Sequence, residues 1–367
     1  MPTTREDVKI TCYADDITVY CSHADFRIAV TRINRYLAVL KRYLEKKQLI
    51  VSVGKCGALL LSPWNKEWKQ ELDVRMGEEA IPTVDSLKLL GLHVDHGLTF
   101  NLHVSEVMKS AARKNNVLKC LTSPSNGLQK EELTQVYRAC TRSVIYYAAP
   151  AWTPLISQTN WNKLEISQNN ALRIITGCTK MSQIDHLRHE TRCIPVRNLC
   201  EMMTCQFSSK MKMPDHPNFR IATPQPRQMK TSLDQFLEKK LEEFNISPQK
   251  KMDRVWHTAF VRKSVEEYEP NKVLEDHPHM DPVKVDELEE GMTRKERRIV
   301  AQMRSGYCPL LNDYKARIDN SQTELCRKCQ EETETVRHFL RCQLDEEIRT
   351  LWEDPKKITS KMNEMGL

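Results

Sequence analysis

Two groups of residues in this sequence have the type and spacing to do chemistry. The first is Tyr13-Ala14-Asp15-Asp16, inside a segment from Val8 to His23 rich in β-branched and aromatic residues. That composition predicts strand, tight turn, strand, with the two carboxylates at the bend. Hard oxygen ligands suit Mg²⁺, and two such ions about 4 Å apart can activate an attacking hydroxyl and stabilise a leaving pyrophosphate. Aspartate is equally a favoured turn residue, so the pair also fits a bend that binds nothing. The second group is Cys326-Arg327-Lys328-Cys329 followed by His338 and Cys342, a C-x2-C-x8-H-x3-C spacing. Two thiolates from a tight turn, joined by a His and a Cys four apart on one helix face, complete a tetrahedron for Zn²⁺. Four protein ligands leave no open position, which suits a structural ion. Cys308 falls outside the spacing.

The elements that position these groups follow from periodicity. Phe26, Val30, Ile33, Leu37, Leu40 and Leu44 mark the buried stripe of a helix running to about Lys47. Strand-like runs follow at Leu49–Val53, Ala58–Leu61, Glu79–Val84 and Leu87–Val94, before a turn at Asp95-His96-Gly97. Beyond Leu102 the pattern becomes helical. Leu133, Val136, Tyr137, Cys140 and Val144 form one apolar stripe; Leu164, Ala171, Leu172 and Ile175 form another, stopped by Gly177 as a C-terminal cap. Boundaries fall at Met213–Pro226, with Pro214, Pro217, Pro224 and Pro226, and between Tyr268 and Glu290, with Pro270, Pro278 and Pro282. The expected class is α+β, mostly helical, in four parts: 1–103, 104–212, 213–290 and 291–367.

Composition excludes several classes. The 367 residues are 40% apolar and 29% charged, which rules out a wholly disordered chain. The longest aliphatic run, Ala58–Leu61, is far short of the ~20 residues that cross a bilayer, and Met1–Asp7 has no apolar core of a secretory signal. Thirteen cysteines at irregular spacing read as reduced thiols with one metal site, hence an intracellular chain. The net charge of +7 is concentrated: Val104–Lys230 holds 18 basic against 8 acidic residues, leaving the flanks slightly acidic. A phosphate-backbone partner favours such a block, and so does a plain solvated helical surface. Arg113, Lys114, Lys119, Arg138, Arg142 and Arg173 are its candidate contacts, with Tyr137, Tyr146, Tyr147 and Trp152 serving either as stacking platforms or as core. Arg327, Lys328, Arg337 and Arg341 surround the Cys/His group, interrupted by Glu331, Glu332 and Glu334. The remaining histidines, including His186, His189 and the pair His277/His279, read as surface residues.

In its order of motifs the chain resembles the C-terminal part of non-LTR (LINE-type, Jockey-like) retrotransposon reverse transcriptases. The resemblance runs from the Asp-Asp hairpin and its helix through Leu49-Ile50-Val51-Ser52-Val53-Gly54-Lys55 and Leu89-Leu90-Gly91-Leu92. It continues through Val136-Tyr137-Arg138-Ala139, Tyr146–Trp152 and Gln168–Gly177 to Met303–Cys308 and the Cys/His group. It implies a partial palm at 1–103, a helical thumb and post-thumb region at 104–212, a linker with a helical segment at 213–290, and a zinc knuckle at 291–367. It further implies that Asp15, with Asp16 beside it, ligates catalytic Mg²⁺. Lys55 would balance or protonate the leaving pyrophosphate, and Leu90 and Gly91 would form the primer-grip hairpin, with Gly91 allowing its backbone turn. The partners it implies are an RNA template, a DNA primer and dNTPs, with no membrane, in the nucleus. Where the family usually has Asn, this chain has Ser52. The family's further metal-binding Asp and its fingers lie upstream of the hairpin, so the expectation is a fragment not competent alone. The rival expectation is a non-catalytic nucleic-acid-binding protein built from the basic helices and the knuckle; a degenerate copy with no selected function is the third.

Overall fold

Alternation of apolar and polar residues on either side of Ala14-Asp15 folds Val8–Tyr13 (β1) and Asp16–Cys21 (β2) into an antiparallel hairpin. The register Val8↔Cys21, Ile10↔Val19, Cys12↔Ile17 puts those side chains on one face. That face lies on Phe26–Lys46 (α1), which Asp25 caps by accepting from the Arg27 N–H at 2.9 Å. In the computed structural model the described residues are 8–123, 127–216, 231–247, 252–266, 282–344 and 348–367. The chain divides after His103 into two compact units.

In the first unit Val74–Met76 (β3) and Glu79–Ile81 (β4) form a second hairpin against α1, with Val74, Met76 and Ile81 joining Tyr36, Leu37, Leu40 and Leu44 in one core. Asn34 of α1 fixes its place, donating to Asp73 O and accepting from the Arg75 N–H. Ser86–Leu89 (β5) and Leu92–Asp95 (β6) form a third, so the single strand expected over Leu87–Val94 folds back at Leu90-Gly91. The strands expected at Leu49–Val53 and Ala58–Leu61 are not strands. Val53–Lys55 is a 3₁₀ turn, and Ala58 makes only an isolated bridge to Thr83. Their apolar residues Val51, Val53, Cys56 and Ala58 instead pack as irregular chain on the α1 core. Among the described residues the strands make three separate two-stranded sheets.

The second unit is helical: Asn101–Cys120 (α2, which starts in the first unit), Lys130–Val136 (α3), Ser143–Ile145 (α4), Ala149–Trp152 (α5), Gln158–Thr176 (α6), Ile184–Thr191 (α7) and Val196–Met211 (α8). Then come Ser232–Glu243 (α9), Met252–Glu266 (α10), Pro282–Leu288 (α11), Arg294–Arg304 (α12), Asn312–Ile318 (α13), Val336–Leu344 (α14), Ile348–Glu353 (α15) and Pro355–Glu364 (α16). A π-helical turn at Tyr137–Arg142 widens the spacing after α3. The buried positions therefore fall at Leu133, Tyr137, Thr141, Ile145 and Ala149, while Cys140 of the expected stripe is exposed. Trp256 and Phe260 of α10 and Leu237 of α9 share a core with Met202 and Cys205 of α8. The stretches holding Pro217, Pro224, Pro226, Pro270 and Pro278, and the pair His277/His279, lie outside the described residues. Among the described residues no helix is long and apolar enough to cross a membrane.

A buried ionic cluster ties four of these helices together. Lys130 of α3 meets Glu190 of α7 at 3.2 Å and Asp286 of α11 at 2.7 Å; Arg304 of α12 meets Glu190 at 3.0 Å and also pairs with Glu289 just beyond α11. His186, His96 and His103 are buried, which corrects the surface reading. His186 stacks its turn of α7 on α12 and donates Nε2–H to Ala301 O, while His96 lies flat against Trp68 and hydrogen-bonds Leu60 O. His189 is half-buried.

Burial drives the His186 pKa down to about 4 although Glu190 pulls it up. Unfolded, an imidazole takes its proton near about 6.5. Between those values the unfolded chain binds a proton that the folded chain refuses, so stability falls as the pH drops through that window. Burial opposes ionisation of Glu190, yet Arg304 and Lys130 hold its carboxyl well below the usual range, so its contribution is lost only in more acid solution. The melting temperature is expected to fall between about pH 7 and about pH 5, and His186→Gln, which keeps a donor for Ala301 O, makes the fall shallower. The remaining slope belongs in part to His103, which burial and His93 bring down to about 4. A separate check is Glu190→Ala, which removes the acid that two buried cations share and costs about 3 kcal/mol in denaturant melts.

Candidate functional site

The Cys/His residues are gathered by a short local fold. An isolated bridge between Leu325 and Thr333 closes the loop, Cys326 N–H donates to Glu332 O at 2.8 Å, and Gln330 turns the chain with φ 58°. The next helix, α14, begins with Thr335 accepting from the His338 N–H at 3.1 Å and carries His338 and Cys342 one turn apart. The four candidate ligand atoms lie within 4.8 Å of one another: Cys326 Sγ to Cys342 Sγ is 3.9 Å, and Cys329 Sγ to His338 Nε2 is 3.4 Å. A tetrahedral Zn²⁺ with ordinary bond lengths has sulfur–sulfur edges of about 3.8 Å and sulfur–nitrogen edges of about 3.5 Å. The donor set and its spacing fit a metal ion.

The surroundings prepare these atoms for a cation. The Glu331 and Glu332 N–H groups bring the Cys329 thiol down to about 7. Desolvation and the neighbouring Cys326 push Cys342 up to about 11, because the thiols resist sharing several negative charges without a counter-ion. Burial lowers the His338 pKa, but bonds to Cys326, Glu332 and Cys329 outweigh it and raise the net value. Glu332 Oε2 holds His338 Nδ1 at 2.9 Å, which leaves Nε2 as the ligand atom. Sequence reasoning had treated Glu332 as part of an acidic interruption; its three-residue distance from Cys329 was the available signal. Arg327 and Lys328 fold back: Arg327 bonds Leu310 O, Asn312 Oδ1 and the fully buried Glu334, and Lys328 Nζ donates to Cys342 O. Glu334 is thus an internal anchor. Cys308, outside the group, is a core residue whose thiol burial pushes up to about 11.

The Asp-Asp bend is the second candidate. Tyr13 pairs with Asp16, so the loop is the two residues Ala14 and Asp15, with Ala14 at φ 52°. Asp15 and Asp16 are exposed, and neither carboxylate meets a partner among the described residues. Nor do they belong to any group of three or more possible metal ligands there, the Cys/His set being the sole one. Lys55 is exposed at the end of its 3₁₀ turn, with Ser52 accepting from its N–H at 3.0 Å. Leu90 and Gly91, at φ 46° and 88°, form the tip of the β5–β6 hairpin, both exposed; the two positive φ values are those of a type I′ turn.

Among the basic candidates Arg113 and Lys119 are exposed on α2 and Lys114 is half-buried there. Arg138 donates to Thr191 O and Arg192 O, closing the end of α7. Arg142 and Arg173 are half-buried, each with an Nε lacking a hydrogen-bond partner. Tyr137 and Trp152 are core, Tyr146 is half-buried and Tyr147 is exposed.

Sequence comparison supplies the context for these two groups. The chain is 21% identical over 214 residues to the RNA-directed DNA polymerase from mobile element jockey of Drosophila melanogaster, taking in 58% of this chain and 23% of that protein. It is 23% identical over 171 residues to the jockey enzyme of Drosophila funebris, covering 47% of this chain and 18% of that one. A probable RNA-directed DNA polymerase from transposon BS of D. melanogaster is 22% identical over 205 residues, 54% and 22% of the two chains. The chain is a distant relative of these non-LTR retrotransposon reverse transcriptases. It spans about a fifth of the length of the curated relatives it matches. No family model and no solved structure matches it.

Because Glu332 orients His338, Glu332→Ala is expected to weaken Co²⁺ or Zn²⁺ binding about 10- to 100-fold in chelator competition, with one ion per chain retained. Cys308→Ala should leave the affinity and the thiolate–Co²⁺ absorption unchanged.

Proposed function

We propose that the chain serves RNA-directed DNA synthesis as part of a non-LTR retrotransposon reverse transcriptase, with Asp15 and Asp16 as ligands of catalytic Mg²⁺. The observation that supports it is the solvent-facing carboxylate pair at a two-residue bend, on a hairpin laid against a helix, in a relative of RNA-directed DNA polymerases. In this reading residues 1–103 act as a palm remnant, 104–212 as thumb and post-thumb region, 213–290 as a linker with a helical segment, here packed on α8, and 291–367 as a zinc-knuckle module.

The residues fit such an ion in type: unpaired, adjacent, exposed carboxylates are hard ligands. When bound, Mg²⁺ supplies acidity at the attacking hydroxyl and charge neutralisation at the leaving pyrophosphate. Two carboxylates from one hairpin do not fill two coordination spheres, so a further carboxylate from another strand is required for turnover. Lys55 balances phosphate charge of the incoming dNTP, and the Leu90-Gly91 bend supports the primer strand. The RNA template and DNA primer are its partners, and a genomic primer places the work in the nucleus. Cys326, Cys329, His338 and Cys342 hold a structural Zn²⁺, which closes a small core without taking part in the reaction.

A second reading, a non-catalytic nucleic-acid-binding protein, draws on the absence of a third metal ligand beside the hairpin among the described residues. Primer extension on an RNA template with Mg²⁺ and dNTPs separates the two. With the upstream palm strand supplied in the same polypeptide, extension is expected, and Asp15→Asn lowers it about 100-fold or more while template binding holds. Extension that survives Asp15→Asn overturns the assigned role; binding without extension in either form favours the second reading.

A further inference from the structure

Five cations from three distant stretches of the second unit line one cleft. Lys119 comes from the last turn of α2, Arg173 from the last turn of α6, and Arg294, Lys295 and Arg298 from the first half of α12. The cleft has a volume of about 190 Å³, which is room for about six waters or a phosphate group with its neighbours. No carboxylate lines it. Lys119, Arg173, Lys295 and Arg298 have no acidic partner among the described residues; the nearby Glu131 pairs with Arg297 at 3.0 Å through one oxygen and lies 4.0 Å from Lys130 through the other.

Its back wall is built, not incidental. Arg294 is 8% exposed and donates to Ile174 O and Ile175 O, closing the carbonyl end of α6. The Nε of Arg294 and that of Arg173 are both buried without a hydrogen-bond partner. Gly177 ends α6 at φ +71°, and a Cβ there would sit 2.2 Å from Arg298 Cγ. A bare Cα is therefore what lets Arg298 lie against the cap, beside the cleft. Gln302 fixes the same junction by donating to Gly177 O at 2.6 Å. Burial and the like charge of Arg298 disfavour the charged form of Arg294 and outweigh the opposing pull of Glu131. Five cations around one cleft with no carboxylate in its lining, two of them with an Nε–H still to be partnered, favour an anion there.

We infer that this cleft binds the phosphodiester backbone of a nucleic-acid strand. Guanidinium groups converging from two helices suit phosphate oxygens, which accept paired N–H bonds. No aromatic side chain lines the cleft, Ile174 being its apolar surface, so it offers no platform for stacking bases. The contact is to the backbone and independent of sequence. The inference rests on the nucleic-acid partner of the reading above and not on its catalysis.

The test uses the full chain and a short fluorescein-labelled single-stranded RNA, with affinity followed against salt. Lys295 and Arg298 are exposed, so the double substitution Lys295→Gln/Arg298→Gln should melt like the parent. It is expected to lose about tenfold in affinity, and the slope of log affinity against log salt should shrink by about 1.4 for two lost contacts. Arg298→Lys restores part of the affinity. The control Arg254→Gln/Arg262→Gln removes the same charge from exposed sites on α10 and should leave the slope unchanged. Equal behaviour of the two doubles, or no RNA binding by the parent, overturns the inference. So does stabilisation of the parent by inorganic phosphate with RNA affinity untouched in the cleft double, which marks a free-anion site. Displacement of RNA by polyglutamate as well as by polyphosphate overturns it in favour of an acidic peptide. A chain that binds RNA through the cleft but never extends a primer, even with the upstream palm strand supplied, leaves this inference standing and the catalytic reading fallen.

Discussion

A charge buried among helices must find its counter-charge, and in the second unit that demand decides which helices meet. Glu190 is the centre of it. Its carboxylate, 5% exposed as a residue, is satisfied only if Lys130 of α3 and Arg304 of α12 both arrive. Glu289 answers Arg304 from the other side, and Asp286 answers Lys130. Apolar packing alone tolerates sliding, since one leucine contact resembles another; a buried ion pair does not, because an unmatched charge is costly. The cluster therefore fixes the axial position of α12 against α7. Ala301 then seats in the core of α3, α6 and α7, while Ile299 and Met303 of the same helix seat in the core of α14 and α16. One helix belongs to two cores, and the ionic cluster sets its register in both.

That register has a consequence at the other end of α12. With Arg304 pinned, the first turn of the helix lies against the last turn of α6, where Arg294 meets the carbonyls of Ile174 and Ile175. The helix end would otherwise leave acceptors without donors, and Arg294 supplies them from 119 residues along the chain. The cationic cleft is thus the outer rim of a structural joint. Its charge is not a surface accident, since the residues that shape it also close a helix.

How much of this the sequence revealed depends on the range of the interaction. The hairpin, α1, the Gly177 cap and the C-x2-C-x8-H-x3-C group are local: each depends on residues within about one element, and periodicity or spacing reports them. The stripe after Leu133 failed at Cys140 because a π turn adds a residue to the repeat, and no residue type announces it. Leu49–Val53 and Ala58–Leu61 have strand composition but find no strand to pair with, so composition without a partner yields irregular chain. His186 looked like a surface residue because its acceptor, Ala301 O, lies 115 residues away. The ionic cluster was invisible for the same reason. Long-range pairing is written in the fold, not in the window.

The two candidate metal groups differ in the same respect. The Cys/His group is closed within Leu325–Cys342: the bridge, the caps and the orienting Glu332 all come from that stretch, so its geometry is set locally. The Asp15-Asp16 bend is open, two carboxylates on one ribbon, with Tyr13 and Tyr20 exposed on the face turned away from α1. Net charge shows the contrast again. Counting basic residues singled out Arg138, Arg327 and Lys328, yet each is spent on backbone carbonyls of its own chain. Lys295 and Arg298, in a stretch that counting left slightly acidic, line an anion-sized cleft whose lining holds no carboxylate. A cation count measures how much phosphate a chain attracts from afar; only the hydrogen bonds already made say which cations are left to hold it.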